Sequence, residues 1–135
     1  MNLDQTRAAA AYGHIKEFES ADEERNRRYG TLALKLPALI RTAGLCQALH
    51  FIHARAKGDA SKPEMHLLGH LAKQLGRVNG PITDANDLCN RARSADMGAY
   101  LHLTREALAT AQWYARLSKS ILGVDETDDQ EGHDG

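Results

Sequence analysis

Leu34-Lys35-Leu36-Pro37-Ala38-Leu39-Ile40-Arg41-Thr42-Ala43-Gly44-Leu45 is the densest apolar run of the chain and carries its sharpest backbone punctuation. It lies at the centre of a wider stretch from Tyr29 to Ile52 around which the remainder is arranged. Pro37 has no amide proton and its ring crowds the residue before it, so a helix arriving through Leu36 is expected to kink or restart there. Gly44 repeats the signal, because glycine tolerates a left-handed C-terminal cap. The reading is therefore one or two helical turns from Pro37 to Ala43, closed by Gly44 before a new helix begins. Leu36, Leu39, Ile40, Leu45, Leu49 and Ile52 then turn inward from successive segments and mark the centre of the core.

Towards the N-terminus, Leu3, Ala8, Ala11, Ile15 and Phe18 recur at three- and four-residue spacing, which predicts an amphipathic helix over 3–18. Asp22, Glu23 and Glu24 precede Arg25, Arg27 and Arg28, the charge order a helix dipole favours, so a second helix is placed from about Asp22. Its inward face is Tyr29, Leu32 or Ala33, and Leu36. Beyond the central run, Leu45, Leu49 and Ile52, with Phe51 as a further candidate, stripe a third helix that ends in the loop 57–63. Pro63 suits a first helical position and is followed by Met65, Leu68, Leu71, Ala72 and Leu75; Gly80-Pro81 closes that helix. Thr83 or Asp84 caps a shorter helix through Leu88, Cys89 and Ala92. The last and longest runs from about Ala95 or Met97 to Leu122, with Leu101, Ala107, Leu108, Ala111, Tyr114, Ala115, Leu117 and Ile121 facing inward. No segment alternates with a period of two, so the expected fold is all-α, a single-domain bundle of about six helices over 1–123, with the first and last helices as neighbours. Residues 124–135 are acidic and lack aromatics, and are expected to form a disordered tail.

A chain of 135 residues is long enough to bury one core without staples. Cys46 and Cys89 lie far apart without C-x-x-C spacing, which fits a reducing cytoplasm better than a disulfide scaffold. No stretch approaches a membrane span or a signal peptide, so the expectation is a soluble intracellular protein. The net charge of −1 conceals a segregation. Up to Val124 there are 17 Lys and Arg against 12 Asp and Glu, net +5; beyond it come Asp125, Glu126, Asp128, Asp129, Glu131 and Asp134 with no base. Between Arg25 and Val124 the balance is 15 bases against six acids, net +9. Such a body favours polyanionic partners.

Catalytic chemistry finds little support. His50 with His53 and His66 with His70 have helical spacing, but Leu67 stands where a H-E-x-x-H zinc site needs its glutamate. Two imidazoles hold zinc poorly, and a third ligand such as Cys89 or His102 would have to arrive through packing. No G-x-S-x-G, cysteine-protease context or phosphate-cradling glycine motif is present, and Asp84 with Asp87 reads as helix-start charge. No catalysis, metal or cofactor is expected. What remains is the basic surface: Arg25, Arg27, Arg28, Lys35, Arg41, Arg55, Lys57, Lys73, Arg77, Arg91, Arg93, Arg116 and Lys119. Few aromatics interleave these bases, so backbone contact is favoured over base readout.

The run Lys35-Leu36-Pro37-Ala38-Leu39-Ile40-Arg41-Thr42-Ala43-Gly44-Leu45-Cys46-Gln47-Ala48-Leu49-His50-Phe51 resembles the small helical subunit of type III-B CRISPR effectors, the fifth protein of the Cmr complex. Leu3-Asp4-Gln5-Thr6-Arg7-Ala8 and Glu106-Ala107-Leu108-Ala109-Thr110-Ala111-Gln112-Trp113-Tyr114-Ala115-Arg116-Leu117 extend the likeness over most of residues 1–122. Cys46 stands where a small residue is usual, and the acidic tail is unexplained by it. The resemblance implies a noncatalytic structural subunit that stacks on copies of itself beside the backbone and large subunits, with guide and target RNA passing between them and cleavage belonging to the backbone subunits. The residues it favours for RNA contact are Arg27, Arg28, Lys35, Arg41, Arg116 and Lys119. Two other classes stay open on the residues alone: a protein–protein adaptor whose charges are solvated faces, and a metal-dependent enzyme built on His66 and His70. The tail either competes for the basic surface or serves solubility.

Overall fold

The computed structural model of the chain describes residues 1–128. Among these residues six helices follow in order: α1 Leu3–Phe18, α2 Glu23–Ala43, α3 Leu45–Arg55, α4 Pro63–Asn79, α5 Ala85–Ser94 and α6 Met97–Leu122. There is no strand among the described residues, so the all-α expectation holds. Local chemistry sets most starts. Asn2 and Gln5 form a reciprocal capping box on α1, with Gln5 N donating to the Asn2 side chain at 2.8 Å and Asn2 N to Gln5 Oε1 at 2.9 Å. Asp22, Asp84 and Asp96 cap α2, α5 and α6 by accepting from the amides of Arg25, Asp87 and Ala99. Pro63 opens α4 as its first residue.

The central run departs from its reading in one respect. The helix does not restart at Pro37: α2 runs unbroken through it for 21 residues. The ring removes one amide donor, but its fixed φ is helical, and Leu36, Pro37 and Ile40 are all buried. Tertiary burial on this face therefore outweighs a local penalty of about 3 kcal/mol. Gly44 does terminate the helix, though not in the left-handed α region: its φ of 88° and ψ of 158° lie in a region open essentially to glycine alone. Gly44 has no side chain to cap α3, and the Tyr100 hydroxyl from α6 accepts from Cys46 N at 2.9 Å instead.

α6 packs most extensively against α2 and next against α1, as expected for the first and last helices. α2 and α6 are antiparallel, since Tyr100 meets the Gly44–Cys46 turn at one end while Val124 meets Gly30 at the other. Leu36, Ile40, Leu45, Leu49 and Ile52 are buried with Ile15, Tyr29, Leu67, Leu68, Leu71, Leu75, Leu88 and Tyr114 in one core cluster. Leu39 is half-buried, and Phe51 and Leu101, read as inward candidates, are exposed. Leu101 lies in the first turns of α6. Val124, the first residue assigned to the tail, is buried against α2. Residues 125–128 of that assignment form a hydrogen-bonded turn, and residues 129–135 lie outside the described residues.

Candidate nucleic-acid interface

The α2–α6 pairing leaves a groove on its outer side. Leu34, Pro37 and Arg41 recur along α2 at spacings of three and four, and Gln112, Ala115, Arg116 and Lys119 do so along α6, so each helix turns one stripe towards the same cavity of about 390 Å³. Glu126, past the end of α6, completes the lining. Arg116 lies 5.7 Å from the centroid of the Trp113 ring, and Trp113 Nε1 donates to Asp4 Oδ1 at 2.9 Å, so the platform beneath the guanidinium is tied to α1. Lys119 Nζ donates to Glu126 Oε1 at 2.5 Å. With three cations and one carboxylate, the groove is net positive.

The structure brings together Arg41, Arg116 and Lys119 and places the other three candidates elsewhere. Arg27 pairs with Glu24 and lines a separate cavity of about 530 Å³ that also holds Glu19, Glu23 and Asp128. Arg28 is committed inward: its Nε and Nη2 donate to Glu64 Oε2 at 3.0 and 2.9 Å. Lys35 is half-buried on α2 and does not line the groove. Glu64 is fully buried on the first turn of α4, where the helix dipole favours a carboxylate, and Arg55 Nε approaches the same oxygen at 3.8 Å. The arrangement joins α2, α3 and α4 through one acid.

His66 and His70 do come together, and His14, not considered in that pairing, joins them. The His14 and His70 rings stack with centroids 4.4 Å apart, and the Tyr114 ring is nearly parallel to both. Each of these two histidines meets a buried phenol: Tyr29 Oη lies 2.7 Å from His70 Nδ1, and Tyr114 Oη lies 2.7 Å from His14 Nδ1. Gln74 Nε2 donates to Tyr114 Oη at 3.1 Å, which directs that hydroxyl proton towards His14. Arg25 Nη2 lies 3.3 Å from His66 Nε2, so this nitrogen accepts. With these nitrogens accepting, the imidazoles of His14 and His66 are neutral. Burial, followed by neighbouring positive or imidazole charge, lowers their pKa, and pushes that of His70 to about 3. Among the described residues no three His, Cys, Asp or Glu side chains are grouped as a metal would need. Cys46 and Cys89 are both free thiols.

The family model of the CRISPR-associated protein Cas_Cmr5 matches residues 3–121. The chain belongs to the Cmr5 family. The CRISPR system Cmr subunit Cmr5 of Thermus thermophilus is 39% identical over 118 residues, covering 87% of this chain and 94% of that protein. The crystal structure of a CRISPR-associated Cmr5 family protein from Thermus thermophilus superposes with a TM-score of 0.73 at 34% identity, covering 90% of this chain and 98% of the other. The likeness drawn from the central run thus extends through all six helices. The Cmr5 match stops just before the end of α6, so Val124 and the acids after it fall outside it.

Sequence reasoning missed three residues: Glu64, His14 and Glu126. Glu64 carries no local mark, because its partners stand 36 and nine positions away. Glu126 has a signal, seven residues beyond Lys119 on the same strip of chain, which is hidden when the tail is taken as a whole.

Proposed function

We propose that the chain is a noncatalytic structural subunit of a type III-B CRISPR effector complex, stacked with copies of itself beside the backbone and large subunits, and holding guide or target RNA by its phosphates. Such a subunit works in the cytoplasm. Family membership supports the place in a Cmr complex. The observation that carries the RNA contact is the convergence of Arg41, Arg116 and Lys119 on one groove between the longest two helices. Three cations from two neighbouring helices match phosphates rather than base edges, so sequence choice belongs to guide pairing. The groove should follow the salt dependence of phosphate contact. Combined Arg41→Glu and Arg116→Glu substitution is expected to weaken binding of a labelled single-stranded RNA by tenfold or more at low salt. It should also flatten the plot of log K against log salt by about 0.7 for each phosphate that is no longer neutralised. Unchanged affinity and slope remove the groove from the RNA path.

The adaptor reading has its own observation. Met97 and Leu101, one turn apart at the start of α6, are 72% and 49% exposed. They offer apolar surface for another subunit or a second copy without any RNA contact. Binding to RNA separates the two readings, because an adaptor alone leaves labelled RNA free.

A further inference from the structure

We infer that the segment following α6 is a strap that occupies the RNA groove in the unbound protein, with the Glu126 carboxylate standing where an RNA phosphate would sit. The inference rests on the groove being the RNA contact. Its starting point is a glycine in the middle of a helix. Gly30 is buried within α2, and a Cβ built there would lie 2.7 and 2.8 Å from the two methyl carbons of Val124. Glycine in a helix interior is unfavourable, and here its missing side chain is the slot that receives Val124. The chain turns at Gly123 and Val124 docks. Asp125 then organises the next residues, with Thr127 N donating to its side chain at 2.9 Å and its own amide donating to Asp128 Oδ2 at 2.8 Å. This places Glu126 on Lys119 at 2.5 Å, within the lining of the groove.

The contact is built to be displaced. The Lys119 and Glu126 side chains are 48% and 72% exposed, so the pair is screened by water and salt. A longer polyanion reaching Arg41 and Arg116 as well offers more charge than one carboxylate. The strap therefore lowers apparent affinity by the fraction of molecules in which it is closed, without blocking the groove outright. Its effect is a threshold: short or isolated phosphates do not lift it, whereas an extended strand does.

The test measures binding of a labelled single-stranded RNA by the whole protein and by four variants. Glu126→Gln and a chain ending at Val124 both remove the competing carboxylate. Gly30→Ala closes the Val124 slot and dislodges the strap by an independent route. Glu17→Gln, exposed on α1, changes net charge by the same amount as Glu126→Gln without touching the groove. The expected result at low salt is three- to tenfold tighter binding for Glu126→Gln and the shortened chain, no change for Glu17→Gln, and a difference that vanishes as salt is raised. Equal, measurable affinity for the whole protein, Glu126→Gln and the shortened chain overturns the strap and leaves the RNA groove standing. Equal gains for Glu17→Gln and Glu126→Gln also overturn it, since net charge then accounts for the effect. Failure of every form to bind, the shortened chain included, overturns the groove and the strap together. Should Gly30→Ala not fold, Glu126→Gln, on an exposed side chain, decides the question alone.

Discussion

At the scale of single residues, Glu64 decides how Arg28 should be interpreted. A fully buried carboxylate that accepts two hydrogen bonds from one guanidinium is a structural group, and removal of either partner leaves an uncompensated charge. Glu64→Ala is expected to destabilise the protein by about 3 kcal/mol in chemical denaturation, much of it from the unpaired Arg28 and Arg55. Arg28→Ala should likewise lower the denaturation midpoint while leaving RNA affinity within a factor of two; a large loss of affinity in the folded variant would return Arg28 to the interface. None of this is legible from sequence. Arg28 lies in the most charged window of the chain, and only three-dimensional packing separates a guanidinium aimed at a buried acid from one facing solvent. For the same reason Arg41, Arg116 and Lys119 are indistinguishable in sequence from Arg27, Arg28 and Lys35, and it is the helix register that sorts them.

At the scale of elements, periodicity carries the helices and their boundaries well, because five of the six starts have a local cause, a capping side chain or, for α4, a proline, and only α3 relies on a distant group, the Tyr100 hydroxyl. The error at Pro37 comes from weighing a local breaker against nothing, whereas the apolar face of α2 packed on α6 opposes it. Helix-to-helix polar packing is out of reach of the sequence. The spacing of positions 66 and 70 reveals a histidine pair, but that His70 stacks on His14 and meets Tyr29 depends on the packing of α1, α2 and α4. These imidazoles have a consequence for pH. Their pKa values are lowered in the folded protein, so the unfolded chain binds more protons below about 6.5. Their stabilising contribution is fully present above about pH 6.5 and is lost as pH falls below it, that of His70 continuing to be lost down to about pH 3 at up to about 1.4 kcal/mol per pH unit. Thermal unfolding at pH 7 and pH 5 checks this. The midpoint should drop at pH 5, before the carboxylates titrate, and an unchanged midpoint would mean that the stack tolerates charge.

At the scale of the whole molecule, segregation of charge between body and C-terminus is visible from counting, and the all-α class from the lack of two-residue alternation. Which face meets which partner is not, since it depends on what the core leaves uncovered. Met97 and Leu101 are left so, and replacing both with serine should change stability by no more than about 0.5 kcal/mol, as expected for surface positions. If they serve assembly, sedimentation velocity should show weakened self-association or weakened capture by the other subunits, with stability and RNA affinity retained. α6 itself has a temporal consequence. It covers α2 and α1, and its Tyr100 supplies the hydrogen bond at the start of α3. A ribosome making this protein therefore extrudes residues 1–96 with their apolar faces uncovered, and the bundle closes only after residues 97–122 have cleared the exit tunnel. A product cut short within α6 would be a substrate for proteases rather than a smaller domain.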